Sequence, residues 1–182
     1  MRHRAAFALM ISMLLLTSCG GRTEINAAQE FQNKLAAAQS VSFTSSVRAE
    51  YDDRTVEYTL DYSLNSGGET VEVKKPELIA GIKAHVDEKT SKLEYDGAYL
   101  DTGPLPGDLS PLSALPELTK AMKTGHIDTA WREGDATAAE ITPRDGITVT
   151  VWFDENMNPY HAEIQSAGKV QVYCDIINYK FS

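Results

Sequence analysis

The sequence predicts a mainly β domain of the α+β class, in which one antiparallel sheet is combined with an N-terminal helix and a helical insertion. Three observations predict it. Apolar and polar residues alternate along most of the chain from Val41 to Phe181. A helical period of apolar residues precedes the first strand, and four of the seven prolines are concentrated between Thr102 and Gly125. Strict alternation is typical of antiparallel strands with one apolar and one solvated face.

The first residues of the chain have the composition of an export signal. A basic start is followed by a mostly apolar run at residues 5–16 and by two small residues before Cys19. The run is shorter than the roughly 20 apolar residues that span a bilayer. This pattern resembles the lipobox of bacterial lipoproteins. The resemblance implies that residues 1–18 are a signal peptide, and that Cys19 becomes an N-terminus carrying diacylglycerol with palmitate-like chains.

The same resemblance implies a location and a domain organisation. Diacylglyceryl Cys19 would anchor the chain to the extracytoplasmic face of the cell membrane, or to the outer membrane in a cell that has one. Stable anchoring takes about two lipid chains, which a diacylglyceryl group supplies. We expect residues 19–25 to include a short tether and residues 26–182 to form a single domain.

The charge of the chain limits its partners. It contains 17 Lys and Arg against 26 Asp and Glu, and losing Arg2 and Arg4 with the signal peptide changes the formal net charge from −9 to −11. Nucleic-acid binding needs a basic surface, so nucleic acid is not expected as a partner. A polybasic contact with anionic lipids is also not expected, which leaves the lipid anchor as the connection to the membrane. We expect a monomer.

Cys174 is the second of the two cysteines. If Cys19 is acylated, Cys174 has no partner for an internal disulfide. It shares strand parity with Val172 and Ile176, so the sequence predicts a small buried hydrophobic residue rather than a nucleophile.

The elements follow in order. Asn26 is a predicted N-cap, and a helix of about 13 residues should turn Phe31 and Leu35 towards the core. Roughly nine to eleven strands and one or two helices are expected. The predicted strands cover 41–51, 55–64, 71–75, 78–86, 93–95, 99–100, 127–131, 139–141, 147–153, 160–164 and 169–181.

Residues 102–125 interrupt the strands. Ser110 followed by Pro111 predicts a helix start, and Gly125 can end that helix. An insertion of this length is long for a plain connection. It is either a movable lid over a cavity or a cover that only completes the core. The residues expected to face inward from it are Leu115, Leu118 and Met122.

No motif of catalytic or metal chemistry stands out. The four histidines are scattered, and no paired-His, CxxC, GxSxG, P-loop or GxGxxG spacing occurs. We therefore expect no metal, no cofactor and no enzymatic activity.

Four short motifs, taken in their order along the chain, carry a resemblance to a known family. They are Lys74-Lys75-Pro76-Glu77, Tyr95-Asp96-Gly97 with Tyr99 and Leu100, Val151-Trp152-Phe153-Asp154 with Asn158-Pro159, and Asn178-Tyr179-Lys180-Phe181. In this order, after an amphipathic helix, the chain resembles the LolA/LolB-like superfamily of lipoprotein carriers and receptors. The resemblance implies a half-open β-barrel folded around helices, with an apolar cavity that takes acyl chains of lipids or lipoproteins.

The expected function is accordingly a membrane-anchored lipoprotein that holds an apolar ligand between sheet and helices. The alternative is a sensory or regulatory lipoprotein that binds a protein partner, with a filled core and no ligand. The residues expected to line the cavity are Val47, Tyr58, Leu60, Tyr62, Ile82, Val86, Val149, Val151 and Phe153.

Overall fold

The computed structural model describes residues 20–86, 91–103 and 109–182. In this part of the chain, eleven strands form one antiparallel sheet, accompanied by two α-helices and one short 3-10 helix. The predicted mainly β fold, with an N-terminal helix and a helical insertion, is confirmed. The predictions for the signal peptide and for Cys19 lie outside the described residues.

The bounds of the elements are as follows. The helices are α1 (Gly20–Ala37), α2 (Pro111–Thr124) and the 3-10 helix Glu77–Ile79. The strands are β1 (Val41–Glu50), β2 (Thr55–Asn65), β3 (Gly68–Lys75), β4 (Lys83–Val86), β5 (Ser91–Tyr95), β6 (Ala98–Gly103), β7 (His126–Glu133), β8 (Ala136–Arg144), β9 (Ile147–Phe153), β10 (Pro159–Ser166) and β11 (Lys169–Phe181). Among the described helices, none is both long enough and apolar enough to cross a membrane.

The first and last strands meet in the middle of the sheet. The strand order is β6-β5-β4-β3-β2-β1-β11-β10-β9-β8-β7, and Val47 on β1 lies opposite Cys174 on β11. One arm runs outward from β1 to β6 and the other from β11 to β7. Within the described strands β6 and β7 are not paired with each other, so the sheet is not closed.

Helix α1 begins at Gly20, seven residues before Ala27, which would be the first helical residue after an N-cap at Asn26. Residues 20–25, expected as an extended tether, form its first turns, and Asn26 is an exposed position inside the helix rather than its N-cap. Ile25 packs against the core and extends the apolar stripe of the helix by one turn beyond Ala28. This tertiary contact stabilises helix over residues that we expected to form a tether.

The apolar stripe of α1 packs on the aromatic end of the core. Phe31 lies edge-on to Phe153 at 4.9 Å and to Phe181 at 5.9 Å between ring centroids. Leu35 is fully buried. The predicted inward orientation of Phe31 and Leu35 is therefore confirmed.

Helix α2 begins and ends where the sequence predicted. The hydroxyl of Ser110 accepts a hydrogen bond from the backbone N–H of Ser113, and Pro111 occupies the first turn. The backbone N–H of Gly125 donates to the carbonyl of Ala121 at 2.9 Å. A Cβ at Gly125 would lie 2.5 Å from Ile141 Cγ2 and 2.7 Å from that carbonyl oxygen, so only glycine fits between helix and sheet.

The predicted strand over 78–86 is wrong in its first half. Residues 77–79 form the 3-10 helix, and only Lys83–Val86 is a strand. Gly81 has a φ of +87°, a left-handed conformation that glycine adopts without strain. The backbone reverses here, with Val73 N–H donating to the carbonyl of Ile82, and Leu78 is left 91% exposed. The reversal therefore overrides the alternation of apolar residues.

Candidate functional site

One continuous apolar row crosses the inner face of the sheet from its centre to the free edge at β6. Its members are cross-strand neighbours, each directly opposite the next. In order they are Phe43, Tyr62, Val71, Ala84, Leu93 and Leu100. We call this set the edge row. Residues directly opposite each other on one face contact through their side chains, so the edge row is a continuous surface.

Burial decreases along the edge row. Phe43, Tyr62, Val71 and Ala84 are buried, Leu93 is partly buried, and Leu100 is 63% exposed. Leu93 and Leu100 therefore form apolar surface that is open to solvent and continuous with the core, and contiguous apolar surface of this kind is a feature of interaction sites.

The helices explain this gradient. Helix α1 packs mainly on β7 and β8, while α2 packs on β8 with smaller contacts to β1, β3 and β10. The amide of Gln32 on α1 donates to the carbonyl of Gly125 at 2.8 Å and joins the two helices. Among the described residues, the helices thus cover the centre and the β7 side of the inner face more completely than β4, β5 and β6.

Eight of the nine predicted cavity-lining residues lie on strands and face the inner side of the sheet, and Ile82 precedes β4 and packs against the same core. Six of them are buried within one core cluster: Val47, Leu60, Tyr62, Val149, Val151 and Phe153. Tyr58 and Ile82 are partly buried against that cluster, and Val86 is also partly buried. Strand parity thus placed the residues on the correct face, and their contact with a ligand stays a prediction.

The residues predicted to form a lid point into the same core. Leu115, Leu118 and Met122 are between 0% and 1% exposed on the inner side of α2. Their burial is compatible with both interpretations of the insertion, because a lid in its closed position and a permanent cover make the same contacts. Residues 104–108 of the insertion lie outside the described part of the chain.

Sequence reasoning assigned no ligand contact to Leu93 and Leu100. A usable signal was present: Asp96 and Gly97 form a two-residue turn that places Leu93 opposite Leu100. Exposure of these residues depends on where the helices pack, and that information is not local.

A carboxyl group also lies on the inner face. Glu69 on β3 accepts a hydrogen bond from the phenol of Tyr62, a member of the edge row. Burial raises the pKa of Glu69 and also that of Tyr62, and the nearby Glu69 charge raises the Tyr62 pKa further. The ammonium of Lys123 on α2 partly offsets the effect on Glu69. The buried half of the edge row is therefore bordered by polar groups, Glu69 and Lys123, beneath α2.

His85 and His161 lie on the face of the sheet opposite Cys174. His85 Nε2 lies 2.6 Å from Glu94 Oε2, and His161 Nδ1 lies 2.7 Å from Asp175 Oδ1, both on the outer face. Cys174 faces the core on the opposite side of the sheet. The described residues also contain no group of three or more His, Cys, Asp or Glu placed to hold a metal ion.

Native Cys174 is expected to resist alkylation. Burial raises the pKa of its thiol to about 12, and the nearby Ser45 hydroxyl offsets this only in part. The reactive thiolate is then scarce at about pH 8, where an exposed cysteine reacts readily. Peptide mapping after iodoacetamide treatment should find Cys174 unmodified in the native full chain and fully modified in guanidinium. Rapid modification of the native protein would contradict the buried position.

Comparison with solved structures found several similar folds. An uncharacterised conserved protein from Thermus thermophilus is 11% identical, with 86% of this chain and 88% of that chain covered and a TM-score of 0.48. A LolA superfamily protein from Nitrosomonas europaea is 12% identical, with 85% and 93% covered and a TM-score of 0.44. The lipoprotein LprF from Mycobacterium bovis is 13% identical, with 88% and 94% covered and a TM-score of 0.39.

One of these proteins, from Nitrosomonas europaea, belongs to the LolA superfamily, which the sequence of this chain resembles. At TM-scores below 0.5 and identities of 13% or less, they identify no ligand for this chain. No protein-family model matches the sequence. No curated protein matches it either.

Proposed function

We propose that this protein is a membrane-anchored binding protein for a lipid-like apolar ligand, which lies on the exposed end of the edge row at β5 and β6. The observation that carries the proposal is that the members of the edge row from Val71 to Leu100 are all apolar and connect the buried core to the free edge. The ligand would be bound by burial, with no covalent chemistry.

The accessible end of the edge row is narrow, because Val71 and Ala84 are already fully buried. It consists of Leu93 on β5 and Leu100 on β6, two adjacent strands that lie about 4.8 Å apart. A hydrocarbon chain on this surface would remove both itself and Leu93 and Leu100 from water. At about 0.8 kcal/mol per buried methylene, six methylenes contribute about 5 kcal/mol before the entropy of binding is subtracted.

The proposed anchor places this surface near its source of ligand. In our proposal diacylglyceryl Cys19 holds the chain at the extracytoplasmic face of the membrane. Helix α1 begins at Gly20, so the domain follows the anchor without a long flexible linker. A lipid leaving the bilayer would therefore meet a domain held close to the membrane surface.

A pair of adjacent substitutions on β6 tests the proposal. Leu100 is 63% exposed on the inner face and Tyr99 is 66% exposed on the outer face. Leu100→Lys should lower crosslinking of the full chain to a diazirine-bearing fatty acid methyl ester at least about tenfold, since a bound chain would bury the new charge. Tyr99→Lys, the matched control, should leave the yield unchanged.

The crosslinked residues, located by mass spectrometry, should lie on the inner face of β5 and β6. Equal crosslinking by wild type and Leu100→Lys would refute the site. Absence of crosslinking in the wild type would refute the lipid-binding function.

The free edge of β6 favours a second candidate function. An edge strand offers unpaired backbone groups, and exposed Tyr99 and Leu100 lie on its two faces. A protein partner could add a strand there. In that case Tyr99→Lys and Leu100→Lys would both weaken the complex with the partner, and the fatty ester would not crosslink to the inner face.

A further inference from the structure

Both tryptophans of the chain lie on the outer face of the sheet, on the side opposite the edge row. Trp131 on β7, Ala138 on β8, Trp152 on β9 and His161 on β10 are directly opposite one another in turn. The rings of Trp152 and His161 lie 5.2 Å apart between centroids. We call these four residues the outer row, and they form one continuous surface across four strands.

Ala138 shows how the two indoles are placed. It is 0% exposed, yet it is not a member of the core cluster on the inner face. A methyl group on the outer face is buried only where larger neighbours cover it, and its neighbours in the outer row are Trp131 and Trp152. Both indoles are partly exposed, so each covers part of the sheet and also presents surface to solvent.

Two exposed side chains enlarge this surface. Tyr160, next to His161 in β10, is 45% exposed, and Ile177 on β11 is 58% exposed. Its neighbour Ile176 is buried in the core, so Ile177 faces outward. We call the outer row together with Tyr160 and Ile177 the outer patch. Tryptophan and tyrosine are among the residues that contribute most to binding at protein interfaces, so the outer patch has the composition of an interface core.

An acidic pocket adjoins the outer patch at Tyr160. Its lining residues are Glu133, Asp135, Ala136, Asp154, Glu155 and Tyr160. This lining, within the described chain, has four carboxylates and no lysine or arginine. The indole N–H of Trp152 donates to Glu133 Oε2 at 2.9 Å and joins the outer row to the pocket. Arg132, next to Glu133 in the chain, instead approaches Thr137 on the inner side, with 3.5 Å between Nη1 and Oγ1. The border of the outer patch is therefore acidic.

We propose that the outer patch is a docking surface for a protein partner that presents arginine or lysine side chains to it. Charge complementarity selects this partner, because carboxylates without a neighbouring cation attract basic surfaces and repel acidic ones. The exposed indoles add to the attraction, since a cation over the face of a tryptophan ring is bound favourably. A second copy of this chain carries the same net charge of −9 and the same acidic border, so it does not fit. The outer patch lies on the face opposite the edge row, and the inference does not depend on the proposed function.

Intrinsic fluorescence offers a direct test in the full chain, because both tryptophans belong to the outer patch. The probe is a short peptide of alternating arginine and glycine with blocked termini. The matched probe carries citrulline, which has nearly the shape of arginine without its charge. The arginine peptide should shift the tryptophan emission saturably, and the citrulline peptide should bind at least about tenfold more weakly.

One pair of variants tests the charges. Asp135→Asn combined with Glu155→Gln removes two exposed carboxylates of the pocket. This double variant should weaken the arginine peptide by about threefold to tenfold. Asp53→Asn combined with Glu57→Gln makes the same change of charge at exposed positions on the other arm of the sheet. This control should change the affinity by less than about twofold.

A second pair of variants tests the aromatic surface. Trp131→Leu removes one indole and leaves Trp152 as the reporter, and it should weaken the arginine peptide by at least about threefold. Tyr99→Leu removes an aromatic ring that is 66% exposed on β6 and should leave the affinity unchanged. Urea denaturation of each variant establishes that the fold is retained.

Each contrary outcome would overturn the docking surface. Equal binding of the arginine and citrulline peptides would refute charge complementarity. Equal weakening by the two double variants would mean that the peptide responds to net charge rather than to the outer patch. No shift of emission with either peptide would refute the surface itself, and a wild-type dimer that Trp131→Leu dissociates would identify a second copy as the occupant. None of these results bears on the proposed function, which Leu100→Lys tests on the inner face.

Discussion

Replacing Cys19 with alanine is expected to abolish incorporation of labelled palmitate into this protein completely. Lipidation of a lipoprotein joins a glycerol carbon of the diacylglyceryl group to the cysteine sulfur through a thioether, and alanine has no sulfur to accept the group and the palmitate esters that it carries. The position of Cys19, after a basic start, an apolar run at residues 5–16 and two small residues, is what selects this cysteine. Metabolic labelling of cells that express the full chain, followed by gel autoradiography, measures the effect.

The second cysteine provides the matched control. Cys174 is buried in the core and should carry no lipid, so Cys174→Ala should retain full labelling. Mass spectrometry of the wild-type N-terminus should find a mature chain beginning at diacylglyceryl Cys19. Labelling that persists in Cys19→Ala, or disappears in Cys174→Ala, would contradict the lipobox interpretation.

Local sequence patterns predicted the strands well where alternation and turn chemistry agreed. The long strand β11 was predicted over 169–181 and is found at Lys169–Phe181. The same reasoning failed at 78–82, where Leu78 and Ile82 alternate like a strand but the backbone reverses at Gly81. Periodicity describes which side chains share a face, and it does not detect a change of chain direction between them.

The candidate site was predictable only in part, for a related reason. The alternation of apolar and polar residues along the strands assigned Leu60 and Val151 to the inner face, and both residues are buried there. Whether an inner residue stays exposed depends on the placement of α2 and on the pairing of β1 with β11, which are far apart in the chain. The exposed end of the edge row is a product of that long-range packing.

Truncation of Leu118 is expected to cause a large loss of stability. Leu118 is fully buried on the inner side of α2, which packs on strands from both arms of the sheet. Leu118→Ala should lower the free energy of unfolding by about 2–5 kcal/mol, because it removes apolar contacts and leaves a cavity between helix and sheet. Urea denaturation of the full chain, with the midpoint and slope compared to wild type, measures the loss.

Leu78→Ala is the control with the same chemistry at an exposed position. Leu78 is 91% exposed on the 3-10 helix, so its truncation should change stability by no more than about 0.5 kcal/mol. The contrast also bears on the two interpretations of the insertion. A loss below about 1 kcal/mol for Leu118→Ala would mean that α2 contributes little to the folded core, as expected of a lid that is often open. A loss in the full range would mean that α2 is held against the sheet in the free protein.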